Sequence, residues 1–183
     1  SYKANYWCRP AIKNNSPVYI ITVAEIEFFK AEYEARYGSA SAAEAHYKAA
    51  IEASYATAGV NGSIDTVLNV YPYDQSNYRK CIGIQKWVAL SGVNNFEAYC
   101  ELRRLGYPTF GSVSGSDIYN VVTDSYNPAA LQPGELYTPI TVNTKIGDNA
   151  LIQRWPYPES SANRNQNVPE FPGESVPVFW AGK

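Results

Sequence analysis

The segment from Tyr71 to Tyr78 holds the side chains best suited to ligand chemistry. Tyr71, Tyr73 and Tyr78 supply flat rings, and Asp74, Gln75 and Asn77 supply a carboxylate and two amides. A flat ring can cover the apolar face of a pyranose while amides and carboxylates meet its hydroxyls, so these residues form a candidate carbohydrate contact. The same residues equally suit a tyrosine-rich loop packed on neighbouring helices, and the pattern leaves both open. A second stretch, "RWPYPESSANRNQN" from Arg154 to Asn167, also sets aromatics beside prolines and amides. Its two rings, Trp155 and Tyr157, suit either a sugar surface or the anchoring of an ordered tail.

Other reactive residues point elsewhere. His46 is the only histidine and falls inside a helical stretch beside Tyr47, where a structural role is expected. No Ser/His/Asp set, metal cluster or glycine-rich phosphate loop stands out, so no enzyme activity and no cofactor are expected. Glu25 and Glu27, like Glu32 and Glu34, alternate along a helix and fall on different faces. Lys86, Arg103 and Arg104 could hold an anion. The simpler expectation pairs Lys86 with Glu97 and leaves the arginines to cap their helix. Cys8, Cys81 and Cys100 are odd in number and lack the CxxC spacing of a zinc site. One disulfide with a free thiol, or three reduced thiols, both remain open.

Composition sets the class. The 183 residues are 45% hydrophobic and 17% charged, enough for one domain with a substantial core. A net charge of −2 gives no basic footprint for nucleic acid. No apolar run reaches the roughly 18 residues of a membrane span. Tyrosine is over-used, with 16 Tyr against 6 Phe. Such rings suit half-wet surfaces, whether sugar-binding or at helix–helix contacts. The chain lacks Met, and Tyr6 and Trp7 already stand at positions that could pack, as in a fragment or processed product.

The elements that must position these residues follow from caps and periodicity. Residues 1–21 read as an extended lead-in broken by Pro10 and Pro17, with Val18 to Ile21 a short buried piece. Thr22 with Glu25 is a capping box, and Ile26, Phe29, Tyr33 and Tyr37 recur as one apolar stripe up to Gly38. Ser41 with Glu44 marks a second start. Ala43, Tyr47, Ala50, Ser54 and Ala58 then form the packing face of a helix closed by Gly59. The short connector makes the two helices antiparallel neighbours. The small–aromatic–small spacing at Ala43, Tyr47 and Ala50 resembles the second helix of a tetratricopeptide repeat, although Glu27 stands where its first helix favours Trp.

Ile64, Val67, Leu68 and Val70 fit a short helical turn. A third helix runs from about Gln75 to Leu90 with Ile82, Ile84, Trp87, Val88 and Leu90 as its apolar residues. A fourth, capped by Asn94 with Glu97, runs to Leu105 with Phe96, Tyr99 and Cys100 on one face. From Pro108 onward no helical period survives, and "NVVTD", "YTPITVN" and "PVFWA" are short β-like pieces. So long a coil-rich segment usually wraps a scaffold or carries function.

In this order the residues resemble the C-terminal part of the SusD-like (SusD/RagB) outer-membrane nutrient-binding lipoproteins of Bacteroidetes-type bacteria. The resemblance rests on "ITVAEIEFFKAEYEARYG", "AEAHYKAAIEASYATAG", "IGIQKWVALSGVNNFEAYCELRRLGYP", "RWPYPESSANRNQN" and the closing "VPVFWAGK". Its most specific pieces are Gln85-Lys86-Trp87 with Ala89-Leu90, Glu97-Ala98, Arg103-Arg104 with Gly106-Tyr107-Pro108, and Pro156-Tyr157-Pro158. Tyr99, Gln153 and Ser161 depart from the family's frequent Trp, Arg and Glu.

The resemblance implies a mainly α fold. Tetratricopeptide-like antiparallel helix pairs (22–108) would be followed by a long irregular segment (109–183) carrying short β pieces, all one C-terminal region of a longer parent. It implies no catalysis. It implies capture of a glycan, or in some relatives a peptide, and delivery to a TonB-dependent SusC-like transporter. The parent would sit on the cell surface, meeting the membrane only through an upstream lipid anchor. The alternative is a helical-repeat module that binds protein or peptide. In the family setting, "RWPYPESSANRNQN" reads as a tail motif docked by Trp155 and Tyr157, which leaves Tyr71, Tyr73, Asp74, Asn77 and Tyr78 as the candidate carbohydrate contact.

Overall fold

The structure is a computed structural model and describes residues 14–114, 119–120, 122–123, 125–127, 132, 134–138 and 152–179. It is mainly helical. Among the described residues the helices are α1 (Val23–Tyr37), α2 (Ala40–Ala58), α3 (Asp65–Val70), α4 (Tyr78–Leu90, entered through a 3-10 turn at Gln75–Asn77), α5 (Asn95–Leu105) and the short α6 (Glu159–Arg164). The strands are β1 (Thr109–Ser114), β2 (Tyr119–Asn120), β3 (Ser125–Tyr126) and β4 (Glu135–Thr138). The chain divides into two units, one of Ser1–Thr109 with Gln132–Glu135 and one of Phe110–Leu131 with Leu136–Lys183.

Local chemistry accounts for the first hairpin. Thr22 Oγ1 accepts the Glu25 N–H at 3.1 Å, removing one of the unpaired donors at the start of α1. At the far end, the Gly38 N–H closes on Glu34 O at 2.9 Å. Ser39, not Ser41, caps α2: its Oγ accepts from Ala42 N at 3.2 Å, so α2 starts two residues earlier than the Ser41/Glu44 pair suggests. Gly59, at φ 68, supplies the left-handed residue that ends α2.

The hairpin interface uses small residues. Ala24, Phe28 and Ala31 of α1 are buried, as are Ala43, Tyr47, Ala50 and Ile51 of α2. The alanines let the backbones approach, and Phe28 meets Tyr47 edge-on at 6.3 Å. Both rings are fully buried, and each contributes about 2 kcal/mol of apolar transfer. The expected stripe of Ile26, Phe29, Tyr33 and Tyr37 is instead exposed, because the face opposite α2 carries it. Ser54 is half-buried and Ala58 exposed, so α2's packing face fades towards its end.

α4 packs on α1 and on α5. It buries Ile82, Gly83, Ile84, Ala89 and Leu90, while Val88 is exposed. Gly83 lies where Tyr107 crosses: an added Cβ would stand 2.9 Å from the Tyr107 Cβ. Asn94 Oδ1 accepts from Glu97 N at 3.4 Å, as its capping signature predicts. The buried face of α5 is Ala98, Glu101, Leu102 and Leu105; Phe96 and Tyr99 lie on the exposed side, correcting the expected face.

Val18 to Ile21 are also exposed, with Val18 92% accessible, so this piece is not a buried strand. After α5, β1 pairs with β4, and β2 pairs antiparallel with β3 in the register Tyr119↔Tyr126 and Asn120↔Ser125. "NVVTD" is largely the turn of this β2–β3 hairpin, where Asn120 Oδ1 accepts from Val122 N and Thr123 N. "YTPITVN" meets β4 only at Tyr137 and Thr138, and its remainder lies outside the described residues. Of "PVFWA", Pro177 to Phe179 form no strand and the rest lies outside them. The tail also contains α6, which the loss of helical period hides because six residues are too short to show one.

Candidate functional site

The loop from Tyr71 to Tyr78 sits against the first hairpin. Tyr47, buried in α2, donates its hydroxyl to Tyr71 O at 2.8 Å, and its ring lies 5.6 Å from that of Tyr73. Burial pushes the Tyr47 hydroxyl well above its ordinary range, and pushes that of Tyr73 up to about 12. Tyr73 Oη donates to Gln75 Oε1 at 2.6 Å, and Gln75 Nε2 donates to Ala35 O at 2.8 Å, tying the loop to the end of α1. Tyr71 Oη accepts the Gly134 N–H at 3.1 Å. Gly134 sits at φ +84, a conformation that favours glycine, and a Cβ there would also stand 2.6 Å from Ile84 Cδ1, whose side chain would have to shift.

Asp74 starts the 3-10 turn. Its carboxylate accepts from Ser76 N at 2.9 Å, Ser76 Oγ at 2.6 Å and Asn77 Nδ2 at 2.6 Å. These bonds, Asn77's foremost, hold its carboxyl below the usual range, so it is charged at neutral pH. The five candidate residues thus lie along one segment, from Tyr71 at the end of α3 through the 3-10 turn to Tyr78 at the start of α4. Tyr71, Tyr73 and Tyr78 are half-buried, and Tyr73 and Tyr78 pack on the core. Asp74 and Asn77 are exposed on the outer edge. Cys81 lies beneath this turn with its Sγ 3.4 Å from Pro72 O; it and Cys100 are free thiols, and burial raises the Cys81 thiol. Cys8 lies outside the described residues.

A second cluster joins α1, α4 and α5. Arg104 binds both oxygens of Glu32 (2.7 and 2.6 Å) and both of Glu101 (2.9 and 2.6 Å). Arg36 adds a 2.6 Å pair to Glu32. Lys86 is 0% exposed; its Nζ stands 3.1 Å from Glu101 Oε2 and 3.4 Å from the centroid of the Phe29 ring. Lys86 thus pairs with Glu101, one turn beyond the expected Glu97, because that position faces α4. Arg103 and Arg104 stand in the last turn of α5 as expected, and Arg104 is in addition a cross-link to α1; its own carbonyl receives Arg79 Nη2 at 3.2 Å.

Burial pushes Glu32 and Glu101 up, but the hydrogen bonds and charge of Arg104, with Lys86, leave both below the usual carboxylate range. Burial lowers Lys86 despite Glu101 and raises Glu25 despite Lys86. His46 is likewise a cross-link, its Nδ1 2.6 Å from Glu27 Oε2 on the facing helix. Pairings such as Arg104 with Glu32 span the whole helical region, and no spacing rule could have found them.

In the second unit, Arg154 fastens the tail. Its Nε donates to Val176 O at 2.8 Å and its Nη2 to Pro177 O at 2.5 Å, while Gln153 N donates to Glu174 O at 2.8 Å. Tyr157 meets Phe171 edge-on at 6.3 Å. Trp155, expected to dock this stretch, is 82% exposed: the anchor is the arginine, not the indole.

Antiparallel helices with small–aromatic–small packing between α1 and α2, and polar cross-links from α1 to α4 and α5, form a mainly helical, tetratricopeptide-like scaffold. The chain belongs to the SusD-like family described as starch-binding and associating with the outer membrane, which it matches over residues 2–126. The match takes in α1 to α5 and the Tyr71–Tyr78 loop, whereas Pro156-Tyr157-Pro158 lies beyond it. No curated protein matches the chain.

Proposed function

We propose that this chain belongs to a non-catalytic surface lipoprotein that captures oligo- or polysaccharide and passes it to a TonB-dependent SusC-like transporter. The observation that carries the reading is membership of a starch-binding, outer-membrane-associated family, on a scaffold where Glu32, Lys86, Glu101 and Arg104 cross-link the helices. An ionised Glu32 or Glu101 held by a bidentate arginine makes a poor proton carrier. Tyr71, Tyr73, Asp74, Asn77 and Tyr78 are the proposed carbohydrate contact, with half-buried rings beside an exposed polar edge. A lipid anchor on the parent protein would hold it at the outer membrane.

Affinity electrophoresis in soluble starch tests the reading, with retardation expected. Asp74→Ala with Asn77→Ala should weaken it if the loop is the contact, and unchanged retardation would remove the loop. Co-purification of the parent with an outer-membrane transporter tests the hand-off. The second reading, a helical-repeat module for protein or peptide, is favoured by the outward apolar row of Ile26, Phe29, Tyr33 and Tyr37 on α1. No retardation in any polysaccharide, with capture of a protein partner instead, would select it.

A further inference from the structure

We infer that Trp155 is a carbohydrate-stacking platform on the tail, taking the apolar face of a glucose-type pyranose. The inference rests on the glycan-binding reading for its ligand class and on the second unit for its geometry. Every residue from Trp155 to Asn167 is exposed, yet the stretch is pinned in place. Arg154, immediately before the indole, is fastened to two carbonyls of the segment at Val176 and Pro177. Two residues after it, Tyr157 rests on Phe171. Pro156 and Pro158 restrict the backbone between these anchors, and Pro158 O starts α6 by accepting from Ser161 N at 2.9 Å and Ala162 N at 3.0 Å.

The Arg154 bonds and the neighbouring prolines restrain the backbone that carries the indole, so stacking a ligand on this ring would cost little backbone ordering. A tail anchor would show a buried ring instead. The same exposed stretch carries Asn163, Arg164, Asn165, Gln166 and Asn167, whose amide and guanidinium groups suit sugar hydroxyls.

The test uses the full chain and soluble starch. Affinity electrophoresis and titration of tryptophan fluorescence would compare wild type with Trp155→Ala, Trp155→Tyr and, as a control exposed on α5, Phe96→Ala. We expect Trp155→Ala to lose about tenfold in affinity, Trp155→Tyr to keep most of it, and Phe96→Ala to bind as wild type. Melting temperatures should be the same for wild type and Trp155→Ala. Undiminished binding by Trp155→Ala would overturn the platform and leave the glycan reading standing. A lowered melting temperature in Trp155→Ala, with Trp155→Tyr equally impaired in binding, would make the indole structural and also overturn it. No binding by the wild type would overturn both.

Discussion

Arg104 and Glu32, 72 residues apart in sequence, meet through two parallel hydrogen bonds, Nη1 to Oε1 at 2.7 Å and Nη2 to Oε2 at 2.6 Å. The same guanidinium holds Glu101 on its own helix. One planar fork therefore locks the end of α5 onto α1, and with it the angle between the first hairpin and the α4–α5 pair. A lysine cannot reproduce this, because it carries a point charge rather than a fork.

Replacing Arg104 should loosen that joint. Arg104→Ala is expected to cost about 2 kcal/mol in urea unfolding, below a fully buried pair because the arginine side chain is 41% exposed. Arg104→Lys should recover less than half of the loss. A loss under about 0.5 kcal/mol for Arg104→Ala would show that helix packing alone sets the joint.

Lys86 should behave differently. It is fully buried, and burial lowers its pKa despite Glu101, so carrying the charge there is costly. Lys86→Met keeps an apolar stem and leaves Glu101 held by Arg104. Its stability should stay within about 1 kcal/mol of wild type. Glu101→Leu strands the Lys86 ammonium and removes one partner of Arg104, and should cost about 3 kcal/mol or more. Equal losses from the two changes would contradict this ordering.

The acid limb of stability follows from the same carboxylates. Glu32 and Glu101 have folded values below their ordinary 4.5, so their contribution is present above that pH and is lost as pH falls through the folded values. Glu25, raised by burial, acts in the opposite sense: its contribution is present below 4.5 and fades as pH rises through its folded value. Denaturation midpoints against pH should therefore drop below about pH 4.5. Glu32→Gln is expected to be less stable than wild type at pH 7, and this deficit should narrow at acid pH as the wild type loses its own Glu32 charge. A deficit independent of pH would show that the pair's charge does not act this way.

Much of the scaffold was legible in the sequence because its signals are local. Thr22 and Asn94 cap where their side chains can reach the following N–H groups, and Gly38, Gly59 and Gly106 end helices whatever lies across from them. The antiparallel hairpin followed from a connector too short for any other arrangement. The candidate loop was legible as composition, but not its wiring. Tyr47 beneath Tyr73, and Gly134 arriving on Tyr71, come from residues far off in the chain.

Other features needed the tertiary structure. α1 carries apolar residues on two faces, and periodicity cannot rank them. Close approach to the alanine-rich side of α2 selects Ala24, Phe28 and Ala31 and turns the bulkier Ile26, Phe29, Tyr33 and Tyr37 outward. The partner of Lys86 depended on which turn of α5 faces α4, and the exposure of Trp155 on a distant pair of carbonyls that hold Arg154. Local hydrogen bonding and chain geometry thus make the longer helices and most of their ends legible from sequence, while the start of α2 and the short α6 escape it. Which face is buried, which charges meet and which ring stays in water depend on surfaces brought together from far along the chain, and only packing decides them.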